Sequence, residues 1–70
     1  MGTNRISVVL PTFNEQESLA PLLARLAAMA DGLSDCCFDF IFADDGSTDG
    51  TAAVISGLRE LDPRVQHLRL

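Results

Sequence analysis

Apolar positions along this chain keep two alternating rhythms. Ile6 to Leu10 is an almost unbroken apolar, largely β-branched run, the look of a strand buried on both faces. Pro11 closes it, because proline has no N–H to give to a central ladder. Leu19, Leu22, Leu23, Leu26 and Met29 then recur at helical spacing, which predicts a helix running to about Ala30. Asn14 is placed to cap that helix, with Glu15 and Glu17 in the first turn and Asp31-Gly32 as its stop. Phe38 to Ala43 predicts a second strand. Ala52, Val54, Ile55, Leu58 and Leu61 form the apolar face of a second helix, capped by Ser47 or Thr48 and broken at Asp62-Pro63. Val65 to Leu70 predicts a third strand.

The order is therefore β-α-β-α-β in a single domain over residues 1–70. Right-handed crossovers make the strands parallel, in spatial order 3-2-1. The fold class expected is α/β: an incomplete, three-layer, parallel-sheet half of a Rossmann-like nucleotide-binding domain. Strand one normally has a further neighbour in such a domain. Without one it is an apolar open edge, an association liability, and either truncation of a larger domain or homo-oligomerisation through that edge is expected.

Seventy residues, 47% of them hydrophobic, make a foldable domain whose core is small, since a chain of this size buries only roughly 60% of its unfolded surface. The formal charge is −5, with five basic and ten acidic residues. All five basic residues are arginine. That balance argues against nucleic acid, whose phosphates need a basic face, and against an anionic membrane surface. No apolar run approaches the roughly 20 residues of a spanning helix, and no hydrophobic leader follows Met1-Gly2-Thr3. Cys36 and Cys37 adjoin in sequence, where a mutual disulfide is strained. They are read as buried or half-buried apolar filler in a reducing, cytoplasmic setting.

Both of the first two strands end at loops rich in small and acidic residues, at the sheet edge where α/β proteins bind ligands. The first loop offers Pro11 to stiffen the backbone, the flat face of Phe13, and the Glu15 carboxylate; capping by Asn14 and Glu15 is its plainer reading. The second offers Asp44-Asp45 followed by Gly46, Ser47, Thr48, Asp49 and Gly50. Adjacent carboxylates at the end of a buried strand raise each other's pKa unless something uses them. Asp44 and Asp49 are expected to accept backbone N–H bonds within the loop, and Asp45 to serve a ligand. Gly46 and Gly50 permit positive φ or close approach, and the N–H groups opening the second helix are a candidate anion site. Asp45-x-Ser47-x-Asp49-Gly50 matches the first half of a calcium loop, but its twelfth position is Ser56 where such a loop needs a bidentate Glu. No G-x-G-x-x-G follows the first strand, and a chain without lysine holds no P-loop. Asp39 and His67 are expected at edge or solvent positions.

Ser7-Val-Val-Leu-Pro-Thr-Phe-Asn-Glu15 and Asp44-Asp-Gly-Ser-Thr-Asp-Gly-Thr51 together resemble the start of the family 2 glycosyltransferases of GT-A fold. The resemblance is to the branch containing dolichyl-phosphate mannose synthase and bacterial polyprenyl-phosphate glycosyltransferases, and it covers Arg5 to Leu70. It implies that the chain is the N-terminal nucleotide-sugar-binding portion of such a domain, with a nucleotide-diphosphate sugar as partner. Carried over, Pro11, Phe13 and Glu15 line the base and ribose site, while the Ala43 backbone and the Asp45 carboxylate read the base edge. Phe13 stands where Tyr is commoner, so stacking survives and a hydroxyl contact is lost. The resemblance implies a divalent cation, Mg²⁺ or Mn²⁺, for the full-length enzyme, with membrane association also open to it, and an Asp-x-Asp and catalytic base beyond these residues. No catalytic residue, metal ligand or fragment-bound cation is expected here. The rivals are an inactive remnant or self-associating module, and another α/β nucleotide binder.

Overall fold

In the computed structural model, which describes residues 4–70, three strands and two helices follow in the expected order. Strand β1 spans Asn4–Thr12, helix α1 Leu19–Asp31, strand β2 Cys36–Asp44, helix α2 Thr51–Leu61 and strand β3 Val65–Arg69. The reading of residues 1–3 as the start of a leaderless chain lies outside the described residues. Both strand pairs are parallel, and β2 is central in the order β1-β2-β3.

Side-chain alternation along β2 divides the sheet. Phe38, Phe40, Phe42 and Asp44 point to one face and are all buried. Their register partners on β1 are Ile6, Val8, Leu10 and Thr12, and Val65 of β3 lies opposite Phe40. Leu19, Leu23 and Ala30 of α1 and Ile55 and Leu58 of α2 join the same apolar cluster. Both helices thus cover one face, and the described residues form two layers where three were expected. The physical reason is topological. Both crossovers step the same way across the sheet, and a right-handed crossover then places each helix on the same side.

The other face is open. Val9 is 59% exposed and Leu68 50% exposed, and Arg5 pairs across this face with Asp39 at 2.9 Å. Asp39 is thus a cross-strand ion-pair partner. The apolar run of β1 is not buried on both faces, because β1 is the sheet edge and only one of its faces meets a helix. The same edge position lets Pro11 lie inside the strand, opposite Ala43, where its missing N–H costs little.

Several boundaries and burials differ from the sequence reading for local reasons. Helix α1 starts at Leu19 after a turn closed by Ser18 N–H donating to the Glu15 carbonyl. Asn14 lies five residues before Leu19 and does not cap the helix. Leu61, at the last turn of α2, is 82% exposed, since the chain turns away at Asp62-Pro63 before anything packs on it. Cys36 is half-buried, but Cys37 faces the open side of β2 and is exposed; both are free thiols.

At the end of the sheet away from the two loops, Arg64 ties the turns together. It binds Asp62 at 2.8 Å and Asp31 at 3.3 Å, and its guanidinium lies 5.2 Å from the Phe40 ring centroid. Phe40 also stacks on Phe38 at 6.2 Å. Because Phe40 is fully buried at the centre of a small core, Phe40→Ala is expected to remove about 3–5 kcal/mol. That approaches the whole stability of a small domain, about 5–15 kcal/mol. Loss of the cooperative thermal transition by circular dichroism is the expected result.

Candidate functional site

β1 and β2 end level with each other, Thr12 opposite Asp44, so both loops leave the sheet at the same height. The Asp45 N–H donates to the Thr12 carbonyl at 3.0 Å and carries the pairing one residue past the strands. Register therefore assembles four of the expected residues. Pro11 and Ala43 are cross-strand neighbours on the open face, and Phe13 and Asp45 follow at the loop starts. Phe13 is 55% exposed and Asp45 is exposed, and the Asp45 carboxylate has no hydrogen bond or ion pair among the described residues. Glu15 is exposed as well, and its Oε1 accepts the Phe13 N–H at 3.4 Å. Ala43 lies within the ladder, opposite Pro11 on one side and Leu68 on the other. Strand pairing occupies its backbone, so the second lone pair of its carbonyl is what it has left to offer a ligand.

The two acidic neighbours separate as alternate residues of a strand must. Asp44 turns into the covered face and is buried, while Asp45 turns out to solvent, so the pair is not desolvated together. Asp44 Oδ1 accepts the Ser47 N–H at 2.9 Å and Oδ2 lies 3.1 Å from His67 Nε2. The Ser47 hydroxyl and then its amide, with a lesser contribution from His67, hold the Asp44 carboxyl below its ordinary value of 3.8, against the opposing effect of burial. An ionised carboxylate only accepts, so His67 Nε2 carries the proton of this bond. His67 thus occupies a half-buried structural position on β3 that sequence reading placed at an edge or in solvent.

The loop between β2 and α2 is stitched internally and to the first loop. Asp49 accepts the Thr51 N–H at 2.9 Å and also the Thr51 hydroxyl, and the hydroxyl bond is the first cause of its lowered pKa. Asp44 and Asp49 therefore take the backbone-accepting roles expected of them. Gln16 Oε1 accepts the Gly50 N–H at 2.7 Å. A Cβ at Gly50 would meet that same oxygen, the mobile end of the exposed Gln16 side chain, so a larger residue there would displace the Gln16 contact. Gly46 is required for its backbone, at φ +76°. Asn14 Oδ1 accepts the N–H groups of Thr48 at 2.8 Å and Asp49 at 3.3 Å, and the Asn14 N–H donates to Ser47 Oγ at 2.9 Å. Thr51 Oγ1 accepts the Glu15 N–H at 3.0 Å.

The amides of Ser47, Thr48, Asp49, Gly50 and Thr51 all donate to side chains of this chain, so of the N–H groups that open α2 only those of Ala52 and Ala53 are left for an anion. Ser47 and Thr48 do not cap the helix by side chain; Gly50 holds the N-cap position. Sequence reading missed Asn14 and Gln16 as partners of the second loop. Both lie more than thirty residues from their acceptors or donors, beyond any local capping pattern.

An open depression of about 200 Å³ adjoins these loops, lined by Asn14, Glu15, Gln16, Glu17, Ser18 and Asp49. It shares only Glu15 with the expected residues. Its size is below the usual range of ligand pockets, and its three carboxylates disfavour a phosphate. Nor do the residues fit a divalent cation: among those described, no three His, Cys, Asp or Glu side chains converge as ligands, and Asp44 and Asp49 are already engaged.

Parallel strands ending at two apposed loops, with an exposed aromatic ring and a free carboxylate at the loop starts, form the carboxyl edge of a Rossmann-like α/β half-domain, the edge at which α/β proteins bind ligands. The chain belongs to glycosyl transferase family 2, whose model matches residues 7–70. It is 40% identical over 60 residues to the undecaprenyl-phosphate 4-deoxy-4-formamido-L-arabinose transferase of Sodalis glossinidius, covering 86% of this chain and 18% of that protein. The proteins of the same description from Serratia proteamaculans and Aeromonas hydrophila are 41% and 46% identical, over 80% and 71% of this chain and 17% and 15% of theirs. The chain thus spans less than a fifth of these relatives' length. No solved structure matches it significantly. No helix among the described residues is long and apolar enough to cross a membrane.

The carboxylates that accept hydrogen bonds at both ends of the sheet make stability depend on acid. Asp44, Asp49 and Asp62 all have folded pKa values below 3.8. A depressed folded value stabilises the fold above the unfolded pKa, and that contribution is lost as pH falls through the folded value. Thermal midpoints are expected to hold from pH 7 to about pH 5 and to fall steeply below pH 4. Asp44→Asn is expected to start from a lower midpoint and to show a shallower acid slope.

Proposed function

We propose that residues 4–70 form the base-and-ribose half of a sugar-donor site in a glycosyltransferase. In this reading the full-length protein transfers a sugar from a nucleotide diphosphate to a polyprenyl phosphate, an acceptor class suggested by the relatives' description. Phe13 stacks on the base, Asp45 accepts from the base edge, Glu15 accepts from the ribose, and Pro11 with Ala43 bounds the floor. The observation that carries the reading is the level ending of β1 and β2, which sets exposed Phe13 beside the unengaged Asp45 carboxylate. The divalent cation of the full-length enzyme then takes its ligands from outside these residues, as does the diphosphate. The free thiols of Cys36 and Cys37 suit a reducing cytosolic setting.

A second reading rests on the β1 edge. Ile6 and Val9 are exposed there, and an uncovered apolar edge strand pairs readily with another chain. In that reading the chain is a self-associating module.

Titration of the chain with nucleoside diphosphates and nucleotide sugars, followed by amide chemical shifts, tests the donor site. Millimolar-range binding with shifts at Phe13 and Asp45 is expected, whether or not Mg²⁺ is present. Asp45→Ala is expected to weaken it about tenfold, as loss of a charged hydrogen bond does, with the thermal midpoint unchanged; equal affinity in the variant would sink the assignment of Asp45. Sedimentation equilibrium addresses the second reading. A concentration-dependent dimer that Val9→Lys abolishes is its expected signature, and a monomer at all concentrations rejects it.

A further inference from the structure

We propose that Asn14 is the positioning residue of this site, locking the Phe13–Glu15 loop against the Asp45–Asp49 loop. Asn14 has the left-handed backbone conformation, φ +48°, the sole non-glycine residue among those described to do so. That conformation is unfavourable for most side chains and tolerated by asparagine. It turns the Asn14 N–H toward Ser47 Oγ at 2.9 Å while the side-chain Oδ1 receives the Thr48 and Asp49 amides at 2.8 and 3.3 Å. Backbone and side chain thus grip the second loop together. The residues on either side of Asn14 are Phe13 and Glu15, so this grip, together with the Asp45 N–H bond to the Thr12 carbonyl on the other side of Phe13, sets where the ring and the carboxylate stand relative to Asp45. The bonds of Gln16 to Gly50 and of Glu15 to Thr51 lie further along, toward the helices, and do not bracket Phe13.

The part of the proposal that concerns a ligand rests on the donor-site reading; the lock itself does not. Asn14→Gly keeps access to positive φ and removes the acceptor. Asn14→Asp keeps both. In the ligand-free chain, N14G is expected to speed hydrogen exchange at the Thr48 and Asp49 amides by about tenfold, the scale of one net hydrogen bond. The Phe40 and Phe42 amides are expected to keep their protection, and N14D to restore that of Thr48 and Asp49. In the nucleotide titration, N14G is expected to raise Kd by about tenfold or more and N14D to recover most of it. Unchanged Thr48 and Asp49 exchange in N14G overturns the lock, and lost protection with unchanged Kd overturns the positioning role. Should the unsubstituted chain bind no nucleotide, the donor-site reading fails, and the lock is decided by nuclear Overhauser contacts between the two loops, whose persistence in N14G rejects it. Should N14G not fold, loss of Thr48 and Asp49 protection in folded N14D rejects it.

Discussion

Backbone amides in a loop have no ladder or helical partner and need acceptors from elsewhere, and in this chain that deficit falls on the loop between Asp44 and α2. Every backbone N–H from Ser47 to Thr51 is satisfied by a side chain, and the acceptors come from three places: Asp44 on β2, Asp49 within the loop, and Asn14 and Gln16 on the neighbouring loop. Meeting that deficit from the neighbouring loop is what draws the two loops together. It also fixes the division of labour between the acidic neighbours. Asp44 is spent on the loop and on His67, and Asp45 is left free at the surface.

The core beneath is one-sided for an equally simple reason. Three phenylalanines at alternate positions of β2 make one face of the central strand apolar enough to gather both helices, while the other face carries Cys37, Asp39, Ile41 and Ala43. Burial on one side only leaves β1 short of cover, so its apolar residues satisfy helix packing at Val8 and Leu10 but face outward at Val9. The open face and the open edge are one consequence of two crossovers running in the same direction.

Element order, parallel pairing and strand order were legible in the sequence because periodicity and crossover handedness are strong constraints. The roles of Asp44 and Asp49 were also legible, since a carboxylate beside a helix start has local amides to accept. Asn14 was misread because its position suggested a local cap, whereas its partners lie on a loop more than thirty residues away. His67 was missed for the same reason: only the β2–β3 register brings it opposite Phe42 and within reach of Asp44. Leu61 fits the helical stripe, but a periodic position at a helix end buries only if something lies beyond it. The placement of Pro11, Phe13, Glu15, Ala43 and Asp45 around one sheet end followed from the motifs; the acidic depression beside them did not, because Glu17 and Asp49 converge only through the lock between loops.

On the donor-site reading, these constraints also say which part of a nucleotide the chain can meet. A diphosphate finds the loop amides that precede α2 already bonded and no basic side chain in the depression beside them, only Glu15, Glu17 and Asp49. What remains favourable is the uncharged end of the ligand. Phe13 offers a π-face, which any base can stack on, so it confers affinity with little choice between bases. Asp45 does confer choice. A carboxylate accepts hydrogen bonds and donates none, so it rewards a base edge that presents N–H groups and penalises one made of ring nitrogens and carbonyls alone. Because Asp45 is exposed until a ligand covers it, that discrimination arises on binding, when an unmatched carboxylate would lose water without gaining a partner.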